Sequence, residues 1–127
     1  MPDAATIRAT VERYVERHTA GDIDGILSCF APDARAEDPV GSEPHIGTDA
    51  LRAFFEGSHA LADKLELVIT GLIRVAGTHS AAFPMQAISQ IGDMTLVVEI
   101  IDVMTFDDDG KIQTMLAYWA MEDAHPL

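Results

Sequence analysis

Hydrophobic and polar positions alternate most clearly over residues 94–106, which contain no Gly or Pro and are rich in branched residues. One face of this predicted strand carries Thr95, Val97, Glu99, Ile101, Val103 and Thr105. The other carries Met94, Leu96, Val98, Ile100, Asp102, Met104 and Phe106, apolar at every position except Asp102. An aspartate on such a face is short of water. Its charged form is disfavoured, its pKa rises, and the neutral acid becomes a hydrogen-bond donor. The other elements are read for what Asp102 faces.

Residues 3–19 have helical spacing, with Asp3 as N-cap and Gly21 where a helix ends. Ile7, Val11, Tyr14, Val15 and His18 share the inward face. A buried Tyr14 needs a polar partner, and a backbone carbonyl would serve. Asp22 is positioned to cap a short helix over 23–30, which Pro32 and Asp33 end. Residues 34–38 read as a short strand with Ala34, Ala36 and Asp38 on one face. Pro39 holds Asp38 extended and ends it. Asp38 is then either a turn-starting aspartate or a functional group at the mouth of an apolar surface. Thr48 is the predicted cap of a third helix reaching about residue 59, with Leu51, Phe54 and Phe55 facing the core. Strands follow over 65–75, 80–91, 94–106 and 111–121, joined by turns at Gly77, Gly92-Asp93 and Asp108-Asp109-Gly110. Pro84 predicts an edge or bulge in the second. Three N-terminal helices before a strand meander predict an α+β domain spanning residues 1–127. The helices would cover one face of a curved, largely antiparallel sheet and enclose an apolar pocket.

Charge narrows the ligand. Eight Lys+Arg against 21 Asp+Glu give a formal charge of -13, which repels nucleic acid and anionic lipid. No basic cluster offsets it, so a neutral, apolar small molecule is the compatible ligand class. No run approaches a membrane span. Met1-Pro2-Asp3-Ala4 has no basic start or apolar core, so no export signal is expected. With Cys29 as the sole cysteine, a cytoplasmic setting is expected. No zinc-type spacing links Cys29 to the five histidines, and neither a phosphate loop nor a nucleophile elbow is present. His18, His45, His59, His79 and His125 read as structural or surface residues, and no metal or cofactor is expected.

Tyr14, Asp38 and Asp102 are the polar groups predicted to face one interior. An ionised carboxylate near the mouth with two neutral donors deeper in suits proton abstraction beside a carbonyl, the enolate oxygen being held by the donors.

Arg13-Tyr14-Val15, the run Ala20-Gly21-Asp22-Ile23-Asp24-Gly25-Ile26 and the block Ala36-Glu37-Asp38-Pro39-Val40-Gly41-Ser42-Glu43-Pro44 resemble bacterial ketosteroid isomerases. So do Ile101-Asp102-Val103-Met104-Thr105-Phe106 and Gly110-Lys111-Ile112-Gln113-Thr114-Met115-Leu116-Ala117-Tyr118-Trp119. The likeness runs from about residue 5 to residue 120. The Glu37–Pro44 and Ile101–Met104 blocks are specific, whereas the Ala-Gly-Asp junction recurs across the nuclear transport factor 2-like superfamily. The resemblance implies a cone-shaped α+β fold, a homodimer, and isomerisation of 3-oxo-delta-5-steroids to conjugated delta-4 isomers without a cofactor. It implies Asp38 as the base, with Tyr14 and protonated Asp102 as oxyanion donors. An acid kept neutral by an apolar site is the known device of that family. The resemblance puts Trp119 in the wall near the base, and Phe30, Phe55, Phe83, Met85, Met115 and Val40 are expected to line the pocket. Some members have tyrosines at Phe30 and Phe55, which back the catalytic one, so a slower enzyme or altered hydrogen-bond spacing is expected. The rival readings are another enolate-forming isomerase, hydratase or cyclase on a non-steroid polycyclic ketone, and a non-catalytic binder of apolar ligands.

Overall fold

Asp3 starts the first helix: its carboxylate accepts from the Thr6 amide at 2.8 Å, and α1 runs Ala4–Thr19. The computed structural model describes residues 2–77 and 79–127; Met1 and Thr78 lie outside them. The inward stripe of α1 is Ile7, Thr10, Val11, Tyr14, Val15 and His18. Gly21 follows the helix at φ +68, a backbone state that L side chains rarely adopt.

Helix α2 (Ile23–Leu27) is capped by Asp22, which accepts from the Gly25 amide at 2.9 Å. It is shorter than the expected 23–30, because Phe30 already opens β1 (Phe30–Glu37). Strand β1 passes through Pro32, which was expected to break the pattern. Its pairing with β7 (Ile112–Tyr118) is irregular between Phe30 and Arg35, so the missing proline N–H falls where the ladder is interrupted. A short strand, β2 (His45–Ile46), leads into α3 (Thr48–Ala60). The cap of α3 is Gly47, not Thr48. Its φ of +89 favours glycine, and the Thr48 hydroxyl donates instead to the Pro32 carbonyl at 3.5 Å.

The expected strand 65–75 is two strands, β3 (Lys64–Ile69) and β4 (Arg74–Ala76), both paired antiparallel to β5 (Ser80–Ile91). Pro84 accounts for the break. Its carbonyl accepts from the Thr70 amide, so its ring nitrogen, which has no proton, faces the side where β3 has ended and β4 has not begun. Strand β5 stays in continuous register with β6 (Met94–Phe106) through Pro84, without a bulge. Strand β7 (Ile112–Tyr118) is shorter than the expected 111–121, and β8 (Ala124–Pro126) adds to β6. The eight-stranded sheet has the order β2-β1-β7-β6-β5-β3, with β4 on β5 and β8 on β6. Only β1 and β7 run parallel among these pairs, so the sheet is mixed and largely antiparallel. The helices pack on one sheet face, over a core that includes Ile7, Val11, Tyr14, Phe55, Phe83, Met104 and Met115. The architecture is the expected α+β arrangement of three helices on a mixed sheet.

Candidate active site

Strand register builds this site. Asp102 of β6 stands opposite Phe83 of β5 on one side and Ala117 of β7 on the other. The parallel β1–β7 ladder reaches Glu37↔Leu116, so the next residue, Asp38, comes level with Ala117. Val40, just beyond, donates its amide to the Ala117 carbonyl at 2.9 Å. Phe83, Asp102, Ala117 and Asp38 thus form one row across the inner face. The neighbouring row is Ala81, Met104, Met115 and Ala36, all buried.

Asp102 is 0% exposed, and neither carboxyl oxygen has a hydrogen-bond partner among the described residues. A charged carboxylate so placed would cost several kcal/mol. Burial, and secondarily the Asp38 charge, hold its pKa well above the usual range, which favours the neutral acid. Tyr14 reaches the same region from α1. Its hydroxyl donates to the Met115 Sδ at 3.3 Å. A thioether is a weak acceptor, so that proton is available to a better one. Burial first, then coupling to the acidic groups Asp102, Asp38 and Cys29, raises the Tyr14 pKa well above its usual value and keeps the phenol neutral.

Asp38 is held differently. It is half-buried, and Trp119 Nε1 donates to its Oδ1 at 2.7 Å. Burial raises its pKa, while the Trp119 hydrogen bond and His45 oppose that rise. Two aspartates on one surface therefore differ in kind. One has polar groups that favour its charge, and the other has none.

The structure brings most of the expected lining residues together. Phe30 and Phe55 pack edge-on to the Tyr14 ring at centroid distances of 5.8 and 6.5 Å, so no phenol backs Tyr14. Met115 accepts from Tyr14, Phe83 flanks Asp102, and Trp119 binds Asp38. Met85 is buried further along β5, opposite Ile100, and Val40 lies at the exposed rim.

Sequence reasoning missed His45. It stands opposite Ala36 on β2 and so shares the inner face with Asp38, and its ring stacks on Phe54 at 4.2 Å. Nothing local marks it, since a two-residue strand carries no periodicity. His18, expected on the inward face of α1 beside Tyr14, is found there. It packs edge-on to Tyr14 at 4.7 Å and is buried. Among the described residues, no group of three or more His, Cys, Asp or Glu could hold a metal ion. A groove of about 650 Å³ between α1 and β3, lined by Glu12, Val15, Glu66 and Leu67 among others, shares no residue with this site.

Comparison with known proteins sets this geometry in context. The SnoaL-like domain model matches residues 11–115. A steroid delta-isomerase of Nocardioides simplex is 38% identical over 120 residues, covering 94% of each chain. The epoxide hydrolase LasB of Streptomyces lasalocidi is 30% identical over 134 aligned positions, and the chain spans 44% of its length. The solved structure of the epoxide hydrolase/cyclase-like enzyme SalBIII, described for its role in pyran ring formation in the polyether salinomycin, superposes over the full length of both chains. Its TM-score is 0.91 at 25% identity.

Proposed function

The chain belongs to the SnoaL-like domain family, within the nuclear transport factor 2-like superfamily, and is related to the bacterial ketosteroid isomerases; from that premise we propose that it is a steroid delta-isomerase. The observation that carries this reading is the unequal pair of aspartates, Asp38 with a hydrogen-bond donor and Asp102 with no partner, beside a neutral Tyr14.

In this reading a 3-oxo-delta-5-steroid lies on the inner sheet face with its carbonyl between Tyr14 and Asp102. Asp38 takes a proton from carbon four, and negative charge moves to the carbonyl oxygen. Tyr14 and neutral Asp102 donate to that oxygen and stabilise the dienolate. Asp38 then returns its proton to carbon six, so the double bond moves into conjugation and the carboxylate is restored. The proton balance closes within the site. Phe30, Phe55, Phe83, Met85, Met115, Val40 and the Trp119 ring supply apolar surface for a neutral ring system. That fits a chain of charge -13, which disfavours anionic ligands and nucleic acid. A homodimer is part of the proposal. Ile101 and Tyr118 are paired in register and about half exposed on the outer sheet face, where a second copy would cover them. The enzyme is proposed to work in the cytoplasm; no described helix is long and apolar enough to cross a membrane.

The test is direct. Mixed with a 3-oxo-delta-5-steroid, the protein is expected to produce the ultraviolet band of a conjugated enone. A flat trace from folded protein would overturn the steroid reading. The likeness to LasB and SalBIII favours a second reading, in which Asp102 protonates an epoxide oxygen and Asp38 deprotonates the attacking hydroxyl. Turnover of a hydroxy-epoxide with no enone band would select it.

Trp119 provides a finer test of the base. Its N–H stabilises ionised Asp38 by about 1.5–3 kcal/mol, as hydrogen bonds to charged groups do. Trp119→Phe keeps an aromatic wall and removes the donor, so the Asp38 pKa rises further. The acid limb of kcat/KM should move to higher pH. A pH–rate profile with an unmoved acid limb would count against Asp38 as the titrating base.

A further inference from the structure

The Tyr14 ring is enclosed by three other rings, and only one of them is held by a directional bond. Phe30 and Phe55 touch it through apolar contact alone. His18 meets it edge-on at 4.7 Å and meets Phe55 at 5.1 Å. His18 is also tied down from its far side. Its Nδ1 lies 3.0 Å from His59 Nε2, with the two imidazole planes 16° apart and their centroids 5.2 Å apart, so the rings meet edge to edge. The other nitrogen, His18 Nε2, is buried with no partner among the described residues.

We propose that His18, fixed by its hydrogen bond to half-buried His59, is a positioning residue that locks the ring of Tyr14 so that its hydroxyl stays aimed across the inner sheet face. The chemistry decides where the shared proton sits. A buried N–H without a partner is rarer than a buried acceptor without one. His18 therefore carries its proton on Nδ1 and donates to His59 Nε2, leaving Nε2 as a bare acceptor among aromatic rings. Burial, with His59 adding a second push, lowers the His18 pKa to about 3, so this ring stays neutral while the site works. A neutral imidazole places no positive charge beside Tyr14 and leaves the donor strength of the phenol alone. Its contribution is orientation. His18 bears edge-on against the Tyr14 ring, and moving His18 breaks its bond to His59. With Phe30 and Phe55 unable to hydrogen-bond to Tyr14, Met115 is the side chain that bonds to it among the described residues.

The consequence for catalysis rests on the isomerase reading, but the positioning itself can be read without it. The test uses His59→Ala and His59→Gln, since His59 is half-buried and its truncation spares the core. Carbon-13 labelled tyrosine reports Tyr14 by NMR, with half-exposed Tyr118 as the internal reference. Wild type should show a slowly flipping Tyr14 ring with separate signals for its two edges. His59→Ala should average those signals and lower kcat about tenfold with KM changed less than about twofold, as loss of alignment without loss of binding predicts. His59→Gln places an amide near the Nε2 position and should restore both. Tyr14 signals unchanged in His59→Ala would overturn the proposal, as would a freely flipping ring with undiminished kcat. A wild type without isomerase activity whose Tyr14 signals still respond would leave the positioning role standing and remove only the steroid reading.

Discussion

Asp38→Asn is expected to lower turnover of a 3-oxo-delta-5-steroid by about 10²–10⁴-fold, the range that a positioned general base contributes. The substitution is nearly isosteric, and its carbonyl oxygen can still accept from Trp119 Nε1, which now bonds Asp38 Oδ1 at 2.7 Å. The fold and the polar rim therefore persist while the basic lone pair is lost. Affinity for a planar phenolic steroid should be kept or improve, because that ligand places its oxygen between Tyr14 and Asp102 and asks nothing of the base. Turnover and a ligand titration on the same preparation separate the classes of function. A protein that only stores apolar molecules would show no turnover to lose. An enzyme with its base elsewhere would keep its rate. Loss of the enone band with retained binding identifies Asp38 as the group that moves the proton.

What the sequence made legible follows the range of the forces involved. Strand alternation is a local property, so the buried position of Asp102 on the inner face could be read from residues 94–106 alone. Helix α1 was equally plain, because a side-chain cap, a periodic stripe and a terminal glycine all agree there. Errors arose where pairing overrode local signals. Pro32 reads as a breaker, yet the irregular ladder beside β7 accommodates it inside β1. Residues 65–75 read as one strand, because the interruption is imposed by Pro84 on the neighbouring strand. The cap of α3 shifted from Thr48 to Gly47 because a backbone φ of +89 matters more than an available hydroxyl. His45 and the His18–His59 pair went unread for the same reason. Their partners, Phe54, His59 and the face shared with Asp38, are brought to them by tertiary packing. A histidine count with no metal spacing gives no hint of a hydrogen-bonded pair.

The unequal treatment of the two aspartates is the main electrostatic feature of the interior. Trp119 and His45 lie toward the Asp38 end and favour its charge. At the Asp102 end the cross-strand neighbours are Phe83 and Ala117, whose side chains cannot donate to a carboxylate. Because the Asp38 charge itself raises the Asp102 pKa, ionising the base helps keep the deeper acid neutral.

Replacing Asp102 should therefore move stability and activity in opposite directions. Asp102→Leu removes one oxyanion donor and is expected to lower kcat by about 10²–10³-fold. It also removes a buried carboxyl whose two oxygens have no partner, which should stabilise the fold by about 1–3 kcal/mol. The sign of the pH dependence follows from linkage. The Asp102 pKa is raised in the folded state, so above the ordinary carboxylate range the unfolded chain has released a proton that the native state still holds. Stability contributed by this group is complete below the unfolded pKa and is lost as pH rises toward the folded one, by about 1.4 kcal/mol per pH unit. Asp38, also raised, adds a loss of the same sign in both proteins, so the difference between them isolates Asp102. Urea unfolding of wild type and Asp102→Leu from pH 4 to pH 8 should show an advantage for the variant that widens with pH. Asp102→Asn keeps a neutral donor. It should share the flatter pH profile and recover much of the lost turnover. A stability gap that does not change with pH would mean that the carboxyl is not held neutral. A fully active Leu variant would mean that Tyr14 stabilises the dienolate alone.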